Sequence, residues 1–172
     1  MSICFSGVWI SYDLKWKMDM DVLWGDEYVD NGAISIGYET SVKNFLLDYE
    51  DETNVDELVT SHLNFGASFD IMGARKNNIS KQCRMINIYS KYIIPLKKNK
   101  NISFIWFSLG YSFPFGDFKD YLDAGNSYGF GLLHKERIGL YCIVSNLIYP
   151  EDDIYLDEFD IKVTRIGLSY HF

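Results

Sequence analysis

No apolar run in this 172-residue chain approaches the ~18 residues that a membrane-crossing helix needs. Cysteine is sparse: Cys4, Cys83 and Cys142 show no Cys-x-x-Cys spacing, which leaves zinc-ribbon and dithiol redox chemistry without support. Proline occurs three times, at Pro95, Pro114 and Pro150. Each sits where an extended segment ends, a place that tolerates a missing N–H. There is no Gly-x-Ser-x-Gly elbow and no EF-hand loop among the acidic residues. Basic residues are outnumbered, 16 against 24 acidic, and the net charge of -8 argues against nucleic acid as a partner. The three histidines, His62, His134 and His171, are scattered. No catalytic, cofactor-binding or metal-binding set is expected.

What the chain has is alternation. From Val8 the even positions read Val, Ile, Tyr, Leu, Trp, Met, Met, Val and Trp as far as Trp24, and the odd ones are mostly Ser, Asp and Lys. Period two excludes a helix, which groups residues three and four apart. A soluble strand runs ~5–6 residues, whereas a bilayer-crossing strand needs ~9–11. Seventeen alternating residues, Val8–Trp24, point to a strand that crosses a bilayer and projects beyond it. The even face then meets lipid, and the odd face, with Asp13, Lys15, Lys17 and Asp19, lines a lumen. A mean hydropathy of -0.09 does not oppose this reading, because a barrel spreads its membrane character over alternate positions. Aromatic residues make up 17% of the chain and fit girdles at two lipid–water boundaries.

The chain ends on the same pattern. Ile166, Leu168, Tyr170 and Phe172 alternate with Arg165, Gly167, Ser169 and His171. Between the two ends lie Ala33–Thr40, Phe45–Tyr49, Arg84–Ile94, Ser103–Phe113, Ser127–Leu133 and Ile138–Tyr149, which makes eight strands. His62–Met72 alternates too, and counting it would give nine, which cannot return both termini to one side. Either it is the membrane part of strand three, with Phe45–Tyr49 continuing strand two, or it belongs to a long external loop. The hairpin look of Gly37-Tyr38…Asn44-Phe45 favours the loop. The fold class is all-β, an eight-stranded antiparallel up-and-down transmembrane β-barrel.

Charge sorts by connection. Short turns carry Lys43, Lys97, Lys98, Lys100, Lys135 and Arg137; longer ones carry acidic groups such as Glu50–Glu57, Asp117–Asp123 and Glu151–Glu158. Outer-membrane barrels have short periplasmic turns and long external loops, so the acidic end is expected outside. There its carboxylates can share divalent cations with anionic lipid headgroups.

Eight strands enclose a space that side chains just fill. The expected lumen network is Asp13, Lys15, Lys17, Asp19, Glu39, Lys91 and Arg165, a plug of ion pairs rather than a wide pore. A narrow path for ions or small solutes remains the alternative. Ser169 and His171 share a face and with Asp160 evoke a hydrolase, but residues two apart on a strand stand ~6–7 Å apart. Cys142 has the lipid-facing parity of Ile138, Leu140 and Val144.

The segments YIIPLKKNKNISFIWFSLGY (92–111), GFGLLHKERIGLY (129–141) and VTRIGLSYHF (163–172) resemble the porin-family outer-membrane β-barrel domains, near the OmpA transmembrane domain and the OmpX-like surface proteins. The resemblance implies a monomer in the bacterial outer membrane, surrounded by its lipids including lipopolysaccharide, with a structural or surface-contact role. It also implies a C-terminal signal, Ile166, Leu168, Tyr170 and Phe172, read by the barrel-assembly machinery. Outer-membrane lipid A deacylases are eight-stranded barrels as well, but the adjacent His-Ser dipeptide they use is missing here. Cys4-Phe5-Ser6 before Gly7 looks like the end of a secretory signal, so residues 1–6 read as a signal-peptide remnant and 7–172 as one barrel domain.

Overall fold

Alternating segments that share one apolar face can satisfy their backbones only by pairing edge to edge, and a closed ring leaves no edge unpaired. In the computed structural model the described residues are 7–20, 26–30, 32–42, 62–76, 79–96, 104–119, 122–135, 137–149 and 159–172. They form β1 (Gly7–Met20), β2 (Asp26–Asp30), β3 (Ala33–Ser41), β4 (Leu63–Lys76), β5 (Ile79–Pro95), β6 (Phe104–Gly116), β7 (Asp123–His134), β8 (Ile138–Tyr149) and β9 (Phe159–His171). β1 pairs antiparallel with both β2 and β3, each strand from β3 onward pairs antiparallel with the next, and β1 closes on β9. Eight strands, β1 and β3 to β9, make the barrel. The short β2 continues the second staff of the wall, pairing with β1 from Trp16↔Asp30 to Met20↔Asp26 beyond the last β3 pair, Asp13↔Ala33. Gly32, at φ 112°, supplies the break between β2 and β3.

Both described termini lie at one end of the barrel, where the Phe172 N–H donates to the Val8 carbonyl at 3.1 Å. We call this the terminal end and its opposite the far end. At the far end β4 and β5 join through two residues, Lys76 facing Ile79.

The middle of the chain differs from the sequence reading. His62–Met72 is not part of an external loop; it lies in the barrel strand β4, paired with β3 from Ala33↔Met72 to Ser41↔Asn64. Both edges of β3 are therefore occupied, by β1 and β4, so a hairpin with Phe45–Tyr49 has no ladder to join. Phe45–Tyr49 itself lies outside the described residues, as does the 1–6 segment. The connection carrying Glu50, Asp51, Glu52, Asp56 and Glu57 leaves β3 and enters β4 at the terminal end. It belongs with Lys135 and Arg137 rather than opposite them, so charge does not sort by end as the sequence suggested.

A second difference sits in β1. Its register against β9 runs Asp13↔Gly167 and then Lys15↔Ile166. Leu14 is the extra residue of a β-bulge, and a bulge inverts the parity of everything beyond it. Directly opposed residues point to one side of a sheet. Lys15 stands beside outward-facing Ile166, and Trp16 beside inward-facing Arg165. Trp16 and Met18 are accordingly inside, both at 0% exposure, not on the lipid-facing wall. Lys15 is exposed on the outer wall, and Lys17, opposite Thr164, is on that side too, so both leave the expected lumen network. The side chain of Asp19 lies outside the described residues.

Elsewhere the alternation holds. Every barrel strand turns large apolar side chains outward, among them Tyr12 on β1, Ile36 on β3, Phe65 on β4, Ile88 on β5, Leu109 on β6, Phe130 on β7, Leu140 on β8 and Leu168 on β9. Leu109 is 69% exposed, and Tyr12 and Leu168 are also exposed. Neighbouring outward rings touch along strands, as with Tyr170 and Phe172 at 5.1 Å.

Candidate functional site

Among the described residues titratable side chains converge in the lumen, which is layered. Nearest the far end is an apolar plug of Trp16, Met18, Met72, Cys83, Met85, Leu147, Ile161 and Val163. Phe118 and Leu122, from the turn joining β6 and β7, drop into it and are almost fully buried. That turn is held by Leu122 N–H donating to the Phe118 carbonyl at 3.0 Å. The Asp117 carboxylate adds a second tie, accepting from the Gln82 backbone N–H on β5 at 2.8 Å. Beyond the bulge the inward side of β1 must be apolar to join this plug, and Trp16 and Met18 are what the shifted register brings there.

Below the plug lies a charged layer centred on Arg165. Its Nε donates to Asp13 Oδ2 at 2.7 Å and its Nη2 to Ser35 Oγ at 2.6 Å. Its Nη1 donates to Asp70 Oδ2. The Tyr141 hydroxyl bonds Asp13 and also Ser11, the latter at 3.0 Å. Asp70 further accepts from Asn87 Nδ2 at 2.5 Å and from Ser68 Oγ at 3.3 Å. Ser112 donates to Asn87 Oδ1 at 2.6 Å and lies 3.0 Å from Ser145, which carries the network to β8. One guanidinium thus serves two carboxylates, with neutral donors filling the remaining lone pairs, the condition under which buried charge is tolerable.

Toward the terminal end a second pair, Lys91 and Glu39, is buried. Glu39 also accepts from the Tyr89 hydroxyl at 3.0 Å, and that hydroxyl accepts from Trp9 Nε1 at 2.9 Å. Large side chains here are seated on glycines. An added Cβ at Gly131 would come within 2.5 Å of the Trp106 ring, and one at Gly37 within 2.4 Å of the Trp9 ring. Between the two charged layers is a cavity of about 50 Å³ whose lining includes Trp9, Asp70, Tyr89, Lys91, Trp106 and Arg165.

Of the sequence-derived lumen set, Asp13, Glu39, Lys91 and Arg165 are buried and paired within the barrel; Lys15 and Lys17 are outside. Asp70, Tyr89, Asn87 and Tyr141 were missed. Asp70 was legible on the polar face of His62–Met72 but was lost with the assignment of that segment to a loop. Tyr89 and Tyr141 sit at lumen parity, where an aromatic residue looks like a girdle residue until its hydroxyl is seen to bond a carboxylate. Ile166, Leu168, Tyr170 and Phe172 all face outward. His62 directly precedes β4 and its ring meets Tyr92 edge-on at 6.2 Å, while His134 ends β7. Ser169 Oγ and His171 Nε2 do approach, at 3.3 Å, closer than the backbone spacing suggested. Asp160, paired with Ile148 near the far end, is remote from both. No group of three or more His, Cys, Asp or Glu is placed to hold a metal among the described residues.

No family model matches the chain, and no curated protein matches it. Among solved structures, it is similar to Ail, the attachment invasion locus protein of Yersinia pestis, at 12% identity and a TM-score of 0.41, covering 97% of each chain. It is also similar to the outer membrane protein OprG from Pseudomonas aeruginosa, at 10% identity and a TM-score of 0.40, covering 96% of each chain. The barrel assignment rests on this chain's own closed ladder.

Proposed function

We propose that this chain is an integral protein of the bacterial outer membrane, a monomeric barrel with a structural or surface-contact role rather than a catalytic one. The observation that carries the reading is the inversion of polarity across the wall. Large apolar side chains cover the outside of all eight barrel strands, while Asp13, Glu39, Asp70, Lys91 and Arg165 are inside. A water-soluble barrel has the opposite distribution. A closed ring also leaves no backbone group unpaired in hydrocarbon. On this reading the belt is solvated by outer-membrane lipids including lipopolysaccharide. The outward row Ile166, Leu168, Tyr170 and Phe172 is the surface offered to the barrel-assembly machinery, and residues 1–6 are the remnant of an export signal.

The channel alternative is disfavoured by the apolar plug, which fills the lumen at the far end. The hydrolase alternative is disfavoured by the position of Asp160, which leaves Ser169 and His171 without the third group of the proposed set. Membrane fractionation tests the main reading. The protein is expected in the outer-membrane fraction, resistant to carbonate extraction and dependent on detergent for solubility. A folded, monodisperse protein in plain buffer would remove the proposal.

A further inference from the structure

The cavity between the two charged layers is lined by an unequal set of charges. Lys91, paired with Glu39, and Arg165, paired with Asp13 and Asp70, both line it, and Asp70 is the one carboxylate among the lining residues. The Asp70 oxygens are already committed to Arg165, Asn87 and Ser68. The Lys91 ammonium carries three protons, and one of them goes to Glu39. Trp106 adds a second unspent donor. Its side chain lines the cavity, the residue is 6% exposed, and its Nε1 is buried without an acceptor. The two donors border the same space, because Lys91 Nζ lies 4.6 Å from the centroid of the Trp106 ring. A buried indole N–H is ordinarily paired, so an orphan on a residue that lines a cavity, with an ammonium over the same ring, asks for an acceptor.

We propose that this cavity binds a small anion, held between the Lys91 ammonium and the Trp106 indole N–H. The volume of about 50 Å³ limits the ligand to the size of a halide or formate and excludes a sugar or nucleotide ring. Ser108 and Ser127, on the same lining, have hydroxyls that rotate to donate to it. Tyr141 and Ile143 keep part of the wall apolar, which strengthens attraction between the anion and Lys91. The inference does not depend on the membrane reading, since it uses the interior alone.

Bromide is the probe, because it is a halide that scatters anomalously. In crystals of the full chain grown in detergent and soaked in sodium bromide, an anomalous peak is expected in the cavity, adjacent to Lys91 and Trp106. In solution, bromide quenching of tryptophan fluorescence should include a saturable component. Trp106→Phe removes its own fluorophore with the N–H, so the component is then read from Trp9 on the same lining, and its half-saturating bromide concentration is expected to rise at least tenfold. The neutral pair Lys91→Met with Glu39→Gln should abolish it while leaving no unpaired charge. Circular dichroism checks that each variant folds. If a variant does not fold, the wild-type peak decides alone. Water density with no anomalous signal, or saturable quenching unchanged in Trp106→Phe, overturns the proposal.

Discussion

Arg165 and Asp70 lie 95 positions apart in the chain and meet in the barrel interior, Nη1 donating to Oδ2. The same guanidinium reaches Asp13 on β1 and Ser35 on β3, so a single β9 side chain contacts three consecutive staves of the wall. Removing one partner of a buried ion pair leaves an uncompensated charge and costs about 3–5 kcal/mol. Arg165→Met should therefore lower the urea midpoint of the refolded barrel by that order. The triple variant Arg165→Met, Asp13→Asn, Asp70→Asn should recover most of the loss, as measured by unfolding in detergent micelles.

The bulge at Leu14 makes a sharper test. Deleting Leu14 removes only the residue that the register against β9 skips: Lys15 stays opposite Ile166 and Trp16 opposite Arg165, so Trp16 and Met18 remain inside and Lys15 and Lys17 outside. The expected outcome is that the folded, heat-modifiable band on electrophoresis is retained. A deletion variant that loses this band would show that Leu14 is not the extra residue.

Phe118 and Leu122 close the far end of the lumen. Phe118→Ala is expected to cost about 3–5 kcal/mol by cavity formation. In planar bilayers the wild type should give no steady porin-like conductance, and the double variant Phe118→Ala, Leu122→Ala should raise ion flux. Equal conductance of the two proteins would place the barrier elsewhere.

Leu168 and Lys162 share the outer side of β9 at different heights. Arg at position 168, inside the apolar belt, should cost about 2–4 kcal/mol of folding into lipid bilayers. Lys162→Ala, beyond the belt, should change stability by less than about 0.5 kcal/mol. Comparable effects at the two sites would argue against a bilayer around Leu168.

Gly131→Ala drives a methyl group toward the Trp106 ring. Overpacking of this kind costs about 1–3 kcal/mol, and a shift in tryptophan emission should accompany it. Unchanged emission with unchanged stability would mean that the ring yields freely.

The barrel and the inward facing of Asp13, Glu39, Lys91 and Arg165 were legible in the sequence because strand parity reports facing directly, whereas which of them pair was not. What parity cannot report is where it changes. Nothing in the run Val8–Trp24 marks Leu14 as the extra residue; apolar and charged residues keep alternating on both sides of it, and only the register against Arg165 and Ile166 fixes which set is inside. His62–Met72 was lost for a related reason. Two candidate segments competed for one place beside β3, and the choice turned on long-range pairing with Ala33–Ser41, which local alternation does not encode. The plug residues Phe118 and Leu122 were invisible for a third reason, since turns have no facing until they fold back.

Because the guanidinium that unites Asp13, Ser35 and Asp70 arrives on β9, it is made after all three of its partners. Until then two carboxylates from early staves have no cation to meet, and a truncated product ending before Ile161 carries their repulsion unrelieved. Closure of β9 on β1 and the pairing of Asp13 and Asp70 with Arg165 are one event, which gives a half-built barrel little stability of its own.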